Sequence, residues 1–202
     1  MALPLENKRY TYADYITWDN GIRYELIEGI PYVKGETGDT PNAMAGTVVA
    51  HQIARGEIEH QFRNYLKGKK CRIFSETFDA QLNANEYDDT IVQPDIMVVC
   101  DLSKLEGGKS CIGAPDLAIE ILSKSTAKMD KTTKFRLYEK YGVREYWIVD
   151  PYHKTVDVYT LENGKFGRVN IYTHTDIIPV HILENCHIAL AEVFMNEEEE
   201  LP

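Results

Sequence analysis

One stretch limits the folds open to this chain more than any other: Pro115 to Gly142, PDLAIEILSKSTAKMDKTTKFRLYEKYG. Leu117, Ile119 and Ile121 alternate with Ala118, Glu120 and Leu122, so both faces of the implied strand are apolar apart from one acid. A strand covered on two sides reads this way. The rest predicts a helix, with Ser125 or Thr126 as N-cap, Gly142 as the residue that stops it, and Phe135, Tyr138 and Tyr141 as its apolar stripe. A buried strand feeding a helix is the unit of a layered α/β fold.

The stretch also carries two charges where apolar residues are expected. Glu120 sits mid-strand among apolar neighbours, and a lone carboxylate there is costly unless paired, protonated or metal-bound. Lys134 lies on the apolar stripe of the helix, with Asp130 one turn earlier on the same side. A structural Glu–Lys ion pair, or a lysine snorkelling to the surface, accounts for these two residues alone. A third member comes from Ile91 to Cys100, IVQPDIMVVC, a second buried-strand pattern with one acid, Asp95, after Pro94. Proline in such a run marks an edge, a strand start or a bulge. Neighbouring strands lie about 4.8 Å apart, so facing carboxylates can share one divalent cation. Asp116 also follows a proline and has the parity of Glu120, but four strand residues span roughly 13 Å, too far to ligate one ion with it.

Pro94-Asp95, then 24 residues, then Glu120 in a hydrophobic strand resembles the PD-(D/E)-x-K signature of restriction-endonuclease-like nucleases. The strict signature puts lysine at position 122, where this chain has Leu122. That departure is similar to the Uma-type branch, in which the strand reads roughly E-x-L-S and the next helix supplies the lysine: here Glu120-Ile121-Leu122-Ser123 and Lys134. Tyr138 and the run from Gly142 to Pro151 follow in register. Tyr24 to Gly29 resembles the opening strand of that family, and His51 falls where its long helix carries a histidine. The resemblance runs from Tyr10 to about Phe194. It implies an α/β restriction-endonuclease-like sandwich, a mixed central β-sheet flanked by helices. It also implies an endonuclease that hydrolyses phosphodiester bonds of nucleic acid, DNA being favoured, with Mg²⁺ as cofactor and Mn²⁺ as a substitute. Asp95 and Glu120 would hold the metal, with Asp95, Glu120 and Lys134 catalytic. Lys134→Ala is then expected to abolish activity while the fold and Mg²⁺ affinity are retained. The rival is a non-catalytic nucleic-acid-binding or structural domain of the same fold with a buried Asp/Glu/Lys network.

Composition bounds these readings. At 202 residues the expectation is a single domain over residues 1–196, followed by an acidic, disordered tail at 197–202. No run is apolar enough for a signal sequence or a membrane span, so a cytoplasmic location without membrane partners is expected. Cys71, Cys100, Cys111 and Cys186 form no C-x-x-C; reduced thiols are expected, with Cys100 and Cys111 as small core fillers. A net charge of −10 argues against a nucleic-acid partner. The distribution softens that: Ser123 to Arg144 holds seven bases against two acids, and Ile53 to Arg72 six against two. Solvated helix faces explain most of these lysines equally well. A homodimer is compatible with the composition.

The remaining segments read as a short helix from Thr11 to Trp18, a hairpin from Arg23 to Lys34 through Glu28-Gly29, and a lid loop from Gly35 to Pro41. A long helix from Gly46 to about Lys67 follows, then strands at Cys71 to Gln81 and Ile91 to Cys100. Past the central helix come a strand at Arg144 to Val149 and a hairpin over Asn163-Gly164. Glu25 is either an auxiliary acid near the metal or an exposed partner of an arginine such as Arg23. His51 can touch substrate, although a lone histidine is more often structural. Gly107-Gly108-Lys109-Ser110 lacks the first glycine and the following helix of a phosphate loop.

Overall fold

A computed structural model of the chain describes residues 8–19, 21–34, 45–84 and 87–194; the expected lid loop and acidic tail lie outside the described residues. The elements in order are α1 (Tyr12–Tyr15), β1 (Tyr24–Ile27), β2 (Ile30–Val33), α2 (Ala45–Leu66), β3 (Arg72–Ser75), β4 (Asp79–Gln81), β5 (Ile91–Val92) and β6 (Ile96–Val99). They continue with β7 (Ser110–Ile112), β8 (Leu117–Ile121), α3 (Ala127–Met129), α4 (Phe135–Tyr141), β9 (Glu145–Asp150), β10 (Thr155–Glu162), β11 (Lys165–Phe166), β12 (Asn170–Thr173), β13 (Ile177–Pro179) and β14 (His187–Ala189). Among the described residues, no helix is long and apolar enough to cross a membrane.

The parity of β8 sets the layers. The large sheet runs β11-β10-β9-β8-β6-β3, with β12 paired to β10. The β8–β9 pair is parallel, as a helical crossover between them requires, and its neighbours are antiparallel. Leu117, Ile119 and Ile121 pack with Ala54, Ile58, Phe62 and Leu66 of α2 on one face. Ala118 and Leu122 face Leu137 and Tyr138 of α4 and, beyond them, a smaller sheet of order β2-β1-β5-β4-β7. Glu120 has the second parity and therefore points at α4. The mixed sheet flanked by helices agrees with the expected architecture.

Two expected strands are each broken. The run from Cys71 to Gln81 splits into β3, in the large sheet, and β4, in the small one. The corner is Glu76-Thr77, both with positive φ (27° and 55°). The run from Ile91 to Cys100 splits into β5 and β6 across the same two sheets at Gln93, Pro94 and Asp95. Proline has no N–H for a ladder, so the break falls where the chemistry of the sequence allows it. The Glu76 N–H donates to the Asp95 carbonyl (3.2 Å), closing the fork between the sheets.

The helix expected up to Gly142 is also not uniform. A π-helical turn, Asp130–Lys134, separates α3 from α4, and Gly142 ends α4 in the left-handed region (φ 84°). The Arg23–Lys34 hairpin forms as expected, turning through Glu28 and Gly29 with φ of 50° and 78°. The thiol expectation is corrected: Cys71 and Cys100 form a disulfide, while Cys111 and Cys186 are free and buried. The register Arg72↔Val99 places Cys71 directly across from Cys100, which spacing along the chain does not reveal.

Candidate active site

The site forms where the two sheets fork. The β6–β8 register pairs Ile96 with Ile119, so one step further Asp95 stands across from Glu120. Asp95 precedes β6 by one residue and stands at the end of the strand, reachable from both faces of the sheet. Its Oδ2 accepts the Ile121 backbone N–H (2.8 Å), replacing the strand partner that the break removed. From α2, His51 Nε2 comes within 3.2 Å of Oδ2. From the end of β2, Lys34 Nζ lies 3.6 Å from Oδ1 and also donates to the Gln93 carbonyl.

Glu120 is 2 % exposed and its Oε1 is held twice, by Lys134 Nζ (3.0 Å) and by the Tyr138 hydroxyl (2.6 Å). Tyr138 is one turn beyond Lys134 on the same helix side, so a single helix face supplies both donors. Lys134 also lies 2.9 Å from Glu25 Oε1 and 3.6 Å from Asp130 Oδ1. The π turn widens the helix between Asp130 and Lys134 and leaves both buried. The Tyr146 hydroxyl fastens that turn by donating to the Asp130 carbonyl (3.1 Å). Glu25 is in turn fixed by the Gln93 N–H (2.8 Å).

Four carboxylates thus share a buried volume with two ammonium groups and one imidazole. Burial alone would raise the Asp95 carboxyl, but the His51 hydrogen bond, the Lys34 charge and the Ile121 N–H together hold it well below the usual carboxylate range. Burial pushes Glu120 up to about 8, with Lys134 opposing and Asp130 and Asp95 adding to the rise. Burial would neutralise Lys134, but Glu120, Glu25 and Asp130 keep it firmly charged. These directions fit together: one lysine among excess acids stays protonated, and the acids repel one another. Among the described residues, the buried Asp130 Oδ1 accepts no hydrogen bond.

That excess of hard oxygen donors is suited to a divalent cation such as Mg²⁺, which binds through one or two carboxylates and keeps several waters. Among the described residues, no group of three or more His, Cys, Asp or Glu side chains is placed to hold a metal ion. The register sets Asp95 across from Glu120, and a magnesium ion needs only one or two carboxylates from a protein.

The geometry brings together Asp95, Glu120 and Lys134, and adds Glu25 and His51 to them. Asp116 is elsewhere, at the other end of β8, bound to Arg144 (3.1 Å) and to the Cys100 N–H (2.7 Å). Sequence reasoning missed Lys34. Its alternation with Tyr32 was visible, but nothing in the chain says that this hairpin folds over the carboxylates.

Comparison with known proteins bears on the family and on the fold. Residues 12–191 match the family model described as "Uma2: Putative restriction endonuclease". An uncharacterized protein of Synechocystis sp. (strain PCC 6803) is 28 % identical over 150 residues, which cover 72 % of this chain and 71 % of that one. A crystal structure of a "putative nuclease belonging to DUF820" from Anabaena variabilis superposes with a TM-score of 0.67 at 21 % identity, covering 91 % of this chain and 97 % of that one. The last likeness establishes the restriction-endonuclease-like fold.

Proposed function

Since the chain belongs to the Uma2 family, within the restriction-endonuclease-like superfamily, we propose that it is a Mg²⁺-dependent endonuclease that hydrolyses phosphodiester bonds of nucleic acid, with DNA as the favoured substrate. The observation that carries this reading is the approach of Lys134 Nζ to 3.0 Å from Glu120, across the strand pair from Asp95. A strand, a strand break and a helix each contribute one charged group to a single buried point. Asp95 and Glu120 would hold the ion, and Mn²⁺ would substitute for it. When bound, the ion supplies Lewis acidity toward a phosphoryl oxygen and makes a bound water more acidic. Lys134 presents a fixed positive charge toward the negative charge that builds up on the phosphoryl group. Glu25, Asp130 and Tyr138 position Lys134 and Glu120, and Lys34 and His51 orient Asp95.

The enclosure of Lys134 by three carboxylates favours a second reading, a structural ion network in a non-catalytic domain. One experiment separates the two. Thermal melting of the wild type and of Asp95→Ala is followed as Mg²⁺ or Mn²⁺ is added, beside a cleavage assay on single-stranded and duplex DNA and RNA. A metal-dependent rise in melting temperature in the wild type only, with cleavage lost in Asp95→Ala, is expected. No shift at millimolar metal and no cleavage of any substrate would leave the structural network.

A further inference from the structure

The edge strand β2 carries two exposed residues, Ile30 and Tyr32, that the carboxylate centre does not use. Alternation along the strand puts Ile30, Tyr32 and Lys34 on one face. The register pairs Ile27 with Ile30 and Glu25 with Tyr32, and the Lys34 N–H donates to the Arg23 carbonyl (2.8 Å), one step further in the same register. Opposed residues in an antiparallel pair project to the same face. Tyr32 therefore sits one strand spacing from Glu25, whose carboxylate is 2.9 Å from Lys134, while Lys34 reaches Asp95. The inner members of this face, Glu25 and Ile27, are buried, but Ile30 is 43 % and Tyr32 37 % exposed. Edge strands are usually blunted by charge. This one exposes an apolar residue and an aromatic ring, followed by Lys34, whose side chain is 11 % exposed and turned onto Asp95.

We propose that Tyr32, flanked by Ile30, is a stacking platform for an unpaired base next to the scissile phosphodiester, so that the substrate is single-stranded or locally unpaired nucleic acid. The proposal rests on the nuclease reading above. Every base has a π-face, so an exposed ring beside a backbone site captures bases without regard to sequence. In an intact duplex those faces are covered by neighbouring bases, and only a base out of the stack can use the platform. At −10 the chain lacks long-range attraction for a phosphate backbone, single or double, so affinity for either rests on short-range contacts such as stacking.

The test measures binding of fluorescently labelled oligothymidylate and of a matched duplex in metal-free buffer, with cleavage in Mg²⁺ followed separately. Tyr32→Ala should weaken single-strand binding by about tenfold, Tyr32→Phe should restore it, and duplex binding should not change. Equal single-strand affinity for wild type and Tyr32→Ala, in a wild type that binds and cleaves, would overturn the platform alone. So would a wild-type dimer that Tyr32→Ala turns into a monomer with strand affinity intact, because the strand would then be a contact between copies. A wild type that neither binds nor cleaves any strand would remove the nuclease reading and this proposal together.

Discussion

Lys134 and Glu120 need each other more than their spacing in the chain suggests. Sequence alone leads one to expect that Lys134 can be removed with the fold intact. With Glu25, Glu120 and Asp130 all within 3.6 Å of its ammonium group, loss of the lysine is instead predicted to destabilise the fold. Lys134→Met leaves three buried carboxylates uncompensated and should cost about 3–5 kcal/mol in metal-free urea denaturation; an unchanged midpoint would show that the cluster is not held by the lysine. Glu120 gives a pH signature of definite sign. Its folded pKa, near 8, lies above its ordinary 4.5, so the folded protein binds the extra proton. Stability from this group is therefore complete below about pH 4.5 and is lost as pH rises toward 8, by a few kcal/mol in all. Asp95 acts in the opposite direction: its depressed pKa stabilises the fold above pH 4 and fails only in acid. Glu120→Gln should remove the loss between pH 5 and 8 and be the more stable protein at pH 8. A wild type whose denaturation midpoint is flat over that range would contradict the assignment.

At the scale of elements, the breaks matter more than the strands. The corner at Glu76-Thr77 lets one chain segment serve both sheets, and its twin at Gln93 to Asp95 puts an acid at the fork. The corner is strained, since Thr77 is β-branched and has φ 55°. Thr77→Gly should raise stability by about 1 kcal/mol in chemical denaturation; a loss would mean that Thr77 makes a contact worth more than the strain. Glu76 also pairs with Arg55 (3.5 Å) and Arg23 (3.9 Å), which places both guanidinium groups by the fork. The π turn is the other decisive break. A regular α-helix would carry Lys134 and Tyr138 but would set Asp130 at a different angle to both.

For the whole molecule, the fork and the disulfide lie at opposite ends of the β3–β6 pair. The Ser75↔Ile96 end meets the carboxylates, while the Cys71–Cys100 bond closes the other end over a separation of 29 residues. Cys71→Ser should therefore lower stability by about 2–4 kcal/mol and leave metal-induced stabilisation unchanged. A loss of the metal response would show that the two ends are coupled.

The sequence by itself determined the buried strand at Leu117 to Ile121, the inward parity of Glu120, the helix stop at Gly142 and the turns at Glu28-Gly29 and Asn163-Gly164. Each of these follows from alternation, helical spacing or a backbone angle, which are local properties of the chain. Asp95 could be chosen over Asp116 because distance along a strand is also local. Tertiary structure alone decided the rest. It split two apparent strands between two sheets, brought the β1–β2 hairpin over the carboxylates with Glu25 and Lys34, carried His51 in from α2, and joined Cys71 to Cys100. Those contacts depend on how separate elements pack in register, and no residue's type or spacing encodes which distant partner it will face.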